Sequence, residues 1–264
     1  MKIKNKYELT EMLSEGSFGC VYKGYKIKNG QSVAVKINKT DINFLKQECT
    51  IMHYLINNKC AAIPDIYYYG LLENYYIVVM KYCELSLNDF VKMYDYNLKI
   101  MKNLFFQCVE LLQEMHENMV VHCDIKPDNI MISENRLYFI DFGLSQFYVN
   151  EDGIVPTTRH TQITGTPCYV SPFIHQGYSY SPRDDIISLC YVFYEFQRSL
   201  PWNSNGFVND IQHEKNKDMC IRKIRCARDE PENTYLAIII NVLKYCYTLD
   251  SDSSIDYKAI IQQI

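Results

Sequence analysis

His122-Cys-Asp-Ile-Lys-Pro-Asp-Asn129, followed after a short interval by Asp141-Phe-Gly143, is the part of this 264-residue sequence that decides its reading. Asp124 can accept a proton from a hydroxyl, and Lys126, two residues on, can neutralise a phosphoryl group in transfer. Asn129 and Asp141 supply oxygen donors of the kind Mg2+ takes. Between them, Ile130 to Ile132, a Ser-Glu-Asn turn and Leu137 to Ile140 spell a β-hairpin. Such a hairpin folds Asp141 back beside Asn129 and turns separation in sequence into proximity in space. Solvated charges in a turn would reproduce this order of residue types only by accident.

Working toward the N-terminus, two further stretches gain meaning from that one. Leu13-Ser-Glu-Gly-Ser-Phe-Gly-Cys-Val21 is a glycine-bearing turn between two expected strands. Gly16 and Gly19 would let backbone N–H groups approach phosphate oxygens without interference from a Cβ. On its own this is the ordinary content of a hairpin turn. Val33-Ala-Val-Lys36 alternates with period two, so Ala34 and Lys36 fall on the face opposite Val33, Val35 and Ile37. One small side chain could floor a flat ring and one cation could reach phosphates. The next segment, 41 to 56, shifts to helical spacing through Phe44, Glu48, Met52 and Leu55, with Asp41 as its expected cap. Glu48 lies on the apolar stripe, where a lone carboxylate is costly to bury, and Lys36 is the available partner.

Composition bounds the class. The 48% hydrophobic and 22% charged content supplies a core and excludes global disorder. A net charge of −4 and a pI near 5.9 argue against a general binder of nucleic acid or of anionic membranes. The longest aliphatic run, Leu236 to Leu243, is far short of the roughly 20 residues that span a bilayer. The first residues lack the apolar stretch of a signal peptide. The 11 cysteines are odd in number and form no CxxC pair, which reads as reduced, mostly buried thiols in a cytoplasmic or nuclear compartment.

The first 80 residues are expected to be strand-rich, with a further strand over Tyr75 to Met80. After the polar stretch Lys81 to Asn88 the chain turns helical: Leu104, Cys108, Leu111 and Met115 form one stripe, and Asp185 to Phe196 and Pro231 to Tyr247 read as further helices. The expected fold is α+β and bilobal. It has a small β-rich N-lobe with one key helix (1–80), a hinge (81–84) and a larger helical C-lobe (85–264).

The glycine turn, VAVK, the helix glutamate, HCDIKPDN and DFG, in that order, resemble the eukaryotic protein kinase family. Phe142-Gly-Leu-Ser145, Thr164-Gly-Thr166, Ser181-Pro-Arg-Asp-Asp-Ile-Ile-Ser-Leu189, Leu200-Pro-Trp202 and the stretch Tyr245 to Ile264 resemble the casein kinase I group, which includes vaccinia-related kinase-like members. The resemblance runs from about Tyr7 to the last residue, and no accessory domain is expected within these 264 residues. It implies a serine/threonine protein kinase using ATP and Mg2+. By matching position, Leu13, Gly16, Gly19, Val21 and Ala34 would line the ATP site. Lys36 would hold the α/β-phosphates and pair with Glu48. Met80 would be the gatekeeper, with the backbone from Lys81 to Cys83 binding adenine. Asp124 would be the base, Lys126 the γ-phosphate contact, and Asn129 and Asp141 the metal ligands. Thr166 would tie the peptide-binding segment, Gly165 to Tyr169, to the catalytic loop, and Asp185 would brace that loop from below.

Three positions depart from the family pattern. Cys123 replaces the usual arginine, which in many kinases gathers a phosphorylated activation-loop residue. The resemblance with this change implies activity without such phosphorylation, despite Thr157, Thr158, Thr161 and Thr164. Ser171-Pro-Phe173 replaces APE, so the usual glutamate is missing from its ion pair with a helical-lobe arginine. Cys190 stands where glycine is usual. Arg222, Lys223, Arg225 and Arg228, with Arg159 or Arg183, form a basic set suited to acidic or already phosphorylated protein substrates, or simply a solvated helix face. Two other readings are a pseudokinase or scaffold that binds nucleotide or partners without transfer, and a small-molecule kinase. The first is opposed by retention of the base, the metal ligands and the strand lysine. The second is opposed by the peptide-binding segment.

Overall fold

The computed structural model describes residues 1–16, 19–39, 42–94, 97–150, 153, 158–202 and 210–264, with the backbone alone at 39 and 42–46. Asp41, the tip of the glycine turn at Ser17 and Phe18, and Thr157 lie outside the described residues, as does the Phe44 side chain.

The N-terminal part is a six-stranded antiparallel sheet. Its strands are β1 (Lys2–Ile3), β2 (Tyr7–Gly16), β3 (Gly19–Lys26), β4 (Ser32–Lys39), β5 (Ile66–Leu72) and β6 (Tyr75–Lys81), ordered β1-β2-β3-β4-β6-β5. The alternation in β4 sets what each face does. Val33 and Val35 are fully buried with Ile3, Ile77 and Val79 on the outer face. On the other face Lys36 pairs in register with Val21 of β3 and Val78 of β6, and Ala34 sits opposite Met80. The helix expected over 41–56 is α1 (Ile42–Asn57), inserted between β4 and β5; Ile51, Met52 and Leu55 are buried, and so is Glu48.

Past Lys81 the chain becomes helical around short strands. β7 (Leu85–Ser86) leads into α2 (Leu87–Met93), whose first turn is capped by the Ser86 hydroxyl accepting from the Asp89 N–H. α3 (Leu98–Glu117) buries a stripe broader than expected, including Met101, Phe105, Val109 and Leu112 besides Leu104, Cys108 and Met115; Leu111 is only half-buried. β8 (Val120–Val121) precedes the stretch His122 to Asn129. The expected hairpin is β9 (Ile130–Ser133) and β10 (Arg136–Phe139), and β11 (Gln146–Phe147) returns to β8. Four further helices precede the last: α4 (Pro172–His175), α5 (Pro182–Glu195), α6 (Glu214–Cys226) and α7 (Thr234–Thr248), followed by α8 (Tyr257–Ile261).

The α+β, two-part architecture is thus an N-terminal sheet with one helix followed by a helical region. Several element boundaries differ from expectation for local reasons. α5 starts three residues before Asp185, because Ser181 and Asp184 form a capping box around Pro182 at the first turn. α7 starts at Thr234, where the Asn233 side chain accepts from the Leu236 N–H. α6 carries the basic set at 222–228 on a helix, as the second of its two readings expects. All 11 cysteines are free thiols, nine of them buried. Cys190 lies inside α5 in the core, near Cys226 and Cys246. Among the described residues, no helix is long and apolar enough to cross a membrane.

Candidate active site

The Lys36 ammonium stands between two carboxylates, 2.7 Å from Glu48 Oε1 and 2.7 Å from Asp141 Oδ1. Burial alone would lower the Lys36 ammonium, but Glu48 and Asp141 together outweigh it and hold it above its ordinary value. Burial pushes the Asp141 carboxyl upward; Lys36 above all, then His122 and Lys126, reverse this and hold it below the ordinary value. Burial also raises Glu48, opposed by Lys36 and the Phe142 backbone N–H. This triad links β4, α1 and the segment after β10.

Asp124 is buried, and four donors fix its carboxylate. Thr166 donates to Oδ1 from its N–H at 3.0 Å and its hydroxyl at 2.6 Å. Lys126 Nζ and Asn129 Nδ2 donate to Oδ2 at 2.7 and 3.1 Å. Asn129 also donates to the Asp124 carbonyl at 2.9 Å, so its nitrogen is committed to the loop and its amide oxygen is left as a metal-type donor. The hairpin does bring the two oxygen-bearing residues together, for the Ile140 N–H donates to the Asn129 carbonyl at 3.0 Å. An amide oxygen and a carboxylate suit Mg2+, which commonly takes one or two protein oxygens and completes its shell with phosphates and water.

The His122–Asn129 loop is pinned from below. Asp185, fully buried in α5, accepts from the His122 N–H at 2.7 Å and the Cys123 N–H at 3.0 Å, and meets His116 Nε2 at 3.0 Å. The Tyr180 hydroxyl lies 2.9 Å from both the Cys123 and the Thr164 carbonyls. Cys123 and Asp141 adopt left-handed backbone, at φ 68° and 65°, a strained state for side-chain-bearing residues that surrounding contacts must hold. Gly165, at φ +92°, passes so close that a Cβ there would sit 2.4 Å from the Cys123 carbonyl oxygen. His116, Tyr180 and the two strained positions were not read from sequence. His116 lies one residue past the stripe that ends at Met115, and Tyr180 carries no local signal.

Part of the set expected around the nucleotide falls on one face of the sheet. Val21, Ala34 and Met80 share the Lys36 face through the strand register. Gly16 and Gly19 pair across the base of the glycine turn, and Leu13 of β2 is exposed. Cys83 is buried, its thiol pushed up to about 12 by burial. Lys81 differs from the rest. Its N–H is taken by the Asp65 carbonyl at 2.8 Å, and its side chain turns to Glu134 at 2.7 Å and the Tyr138 hydroxyl at 3.3 Å. A cavity of about 1000 Å3 on that side, lined by Ile63, Asp65, Glu134 and Tyr138 among others, includes Lys81 and none of the other expected nucleotide residues.

The basic set at 222–228 is corrected by the structure. Lys223 is fully buried and belongs to no surface patch. Arg183 is buried too, stacked on Phe173 and donating to the Leu249 carbonyl. Arg159 is exposed and lies over the Tyr178 ring. Arg222, Arg225 and Arg228 remain exposed, and Arg222 pairs with Asp218 at 2.7 Å.

The sequence matches the family description "Protein kinase domain" over residues 7–263, nearly its whole length. The chain belongs to the protein kinase family. It is similar to Casein kinase I homolog 3 of Schizosaccharomyces pombe, with 32% identity over 226 residues covering 79% of this chain and 50% of that protein. It is also similar to Casein kinase I homolog 1 of the same yeast, with 30% identity over 271 residues covering 95% of this chain and 58% of that protein. The kinase chain therefore spans between half and three-fifths of the length of these relatives. Protein kinase domains in general bind ATP.

Proposed function

We propose that this chain is a casein kinase I-like serine/threonine kinase that transfers the γ-phosphoryl group of ATP to protein hydroxyls. The observation that carries the reading is the Asp124 carboxylate, held by Thr166, Lys126 and Asn129, with the Lys36–Asp141 pair completing the site. In this reading residues 1–80 form the N-lobe, 81–84 the hinge and 85–264 the C-lobe.

The residues divide the work of positioning and charge neutralisation, which dominate in phosphoryl transfer. Val21, Ala34 and Met80 hold the adenine against the sheet, with Leu13, Gly16 and Gly19 covering it and the backbone up to Cys83 along its edge. Lys36, kept charged by Glu48, takes the α/β-phosphates. Asn129 and Asp141 would hold Mg2+, whose charge would offset that of the phosphates. Asp124 orients the incoming hydroxyl and receives its proton, while Lys126 faces the transferring group. Thr166 keeps the peptide segment in register with the base.

The reading includes activity without activation-loop phosphorylation, because the position of the usual phosphate-gathering arginine holds the buried, uncharged Cys123 thiol. It also places the protein inside the cell, in cytoplasm or nucleus, in keeping with its free thiols. A preference for acidic or already phosphorylated substrates now rests on Arg222, Arg225, Arg228 and Arg159 alone, and a peptide library showing no such preference removes it. Transfer of label from γ-labelled ATP to a generic acidic protein, absent with Lys36→Met, tests the activity itself. Nucleotide binding without transfer by the unmodified chain would instead favour the scaffold reading.

A further inference from the structure

Lys223 of α6 has no surface at all, yet its side chain ends in a basic amine. Burying such a group costs several kcal/mol unless its N–H groups are satisfied, and an apolar side chain of similar volume would fill the space more cheaply. It donates to two neutral acceptors, the Pro167 carbonyl at 2.7 Å and the Val170 carbonyl at 2.6 Å, and its nitrogen lies 3.0 Å from His175 Nε2. The Tyr191 and Trp202 rings face it at 5.3 and 5.6 Å. Burial first, then Lys223, pushes the His175 imidazolium far down, so the ring beside Lys223 is neutral.

The carbonyls it holds bracket one segment. Trp202 Nε1 donates to the Cys168 carbonyl at 2.8 Å, between the two that Lys223 takes. Directly upstream, Thr166 is bound to Asp124 through both its N–H and its hydroxyl. Directly downstream, Ser171 bonds the buried Asp184 of α5. The segment is therefore clamped between the catalytic carboxylate on one side and α6 on the other. What Lys223 supplies and an apolar residue could not is a pair of directed donors to backbone that APE, replaced here by Ser171-Pro-Phe173, would otherwise anchor by an ion pair.

We infer that Lys223 is a positioning residue for the peptide substrate: by holding the Pro167 and Val170 carbonyls it sets the register of Gly165–Tyr169 against Asp124. The inference rests on the proposed kinase activity for its kinetic consequence, while its structural half stands apart from it. Lys223→Met should lower kcat/KM for a peptide by about 10- to 100-fold, the range for leaving buried carbonyls unpaired, and shift the KM for ATP by less than about 2-fold. Lys223→Arg, which keeps donors at the site, should recover part of the loss. If the Met variant does not fold, Lys223→Gln, which keeps one donor, carries the same comparison with a smaller effect. Hydrogen exchange should speed up across 165–170 in the variant and stay unchanged across 141–145. A folded variant with peptide kcat/KM within about 2-fold of the parent, or with equal losses for peptide and ATP, overturns the inference. Absence of transfer by the parent chain would instead overturn the activity, and the exchange measurement would then decide the anchoring alone: unchanged exchange across 165–170 overturns it.

Discussion

Lys36 and Asp141, 105 positions apart in the chain, meet at 2.7 Å across the two parts of the molecule. A strand of the sheet and the segment after the β9–β10 hairpin are thereby joined through one ammonium, which Glu48 of α1 holds from behind at 2.7 Å. Removing the cation strands a buried carboxylate. Lys36→Met should therefore lose transfer and also destabilise the fold by about 3–5 kcal/mol, the cost of breaking a buried pair. Lys36→Met with Glu48→Gln should regain much of that stability in denaturant titrations and none of the transfer.

Asp124→Asn should reduce kcat by about 10²- to 10⁴-fold, the usual contribution of a general base. Asparagine retains an acceptor for Thr166, so the KM for ATP should change little. Steady-state kinetics on a peptide would measure both, and a full-rate variant would remove Asp124 from its role.

Dephosphorylation should leave the rate within about 2-fold of the untreated protein, since the cation an activating phosphate pairs with is missing. Cys123, in its place, is buried and left-handed at φ 68°. Phosphatase treatment followed by an activity assay is sufficient, and abolished activity would contradict this.

Burial lowers the Lys223 ammonium from its ordinary 10.5 to about 7, with the Cys168 and Cys220 thiols acting in the opposite sense. The Pro167 and Val170 carbonyls, His175, Tyr191 and Trp202 are its other neighbours. The folded pKa lies below the unfolded one, so between about pH 7 and 10.5 the unfolded chain binds more protons. The contribution to stability is complete above the unfolded value, falls as pH drops through this window and is gone below about 7. The unfolding free energy of the parent should thus rise more steeply with pH than that of Lys223→Met across the window, by up to about 1.4 kcal/mol per pH unit. Parallel slopes would show that Lys223 does not titrate there.

The parts of the fold legible in sequence are those with a local cause. The period-two alternation at 33–37 and the stripe carrying Glu48 each depend on residues within a few positions. So did the hairpin that returns Asp141 to Asn129. Ser181 and Asp184 carried a capping-box spacing that would have placed the start of α5 correctly. The burial of Lys223 in α6 is less legible for a different reason. Its buried face runs Asn216, Met219, Cys220, Lys223 and Cys226 at helical spacing, but a lysine within that stripe and arginines beside it make the segment look like a surface cluster. Cys123 and Asp141 carry no glycine or asparagine to announce left-handed backbone. Their conformation is set by Asp185, Tyr180 and Lys36, contacts no local window contains.

The central claim is that these residues move a phosphoryl group onto protein hydroxyls. The most direct measurement is phosphosite mapping by mass spectrometry after adding the purified chain and ATP to a kinase-inactivated lysate, beside the Asp141→Asn protein. New phosphate on serine and threonine with the parent chain, and none with Asp141→Asn, is the expected result. The same sites appearing with both proteins, or no new site with the parent, would contradict it.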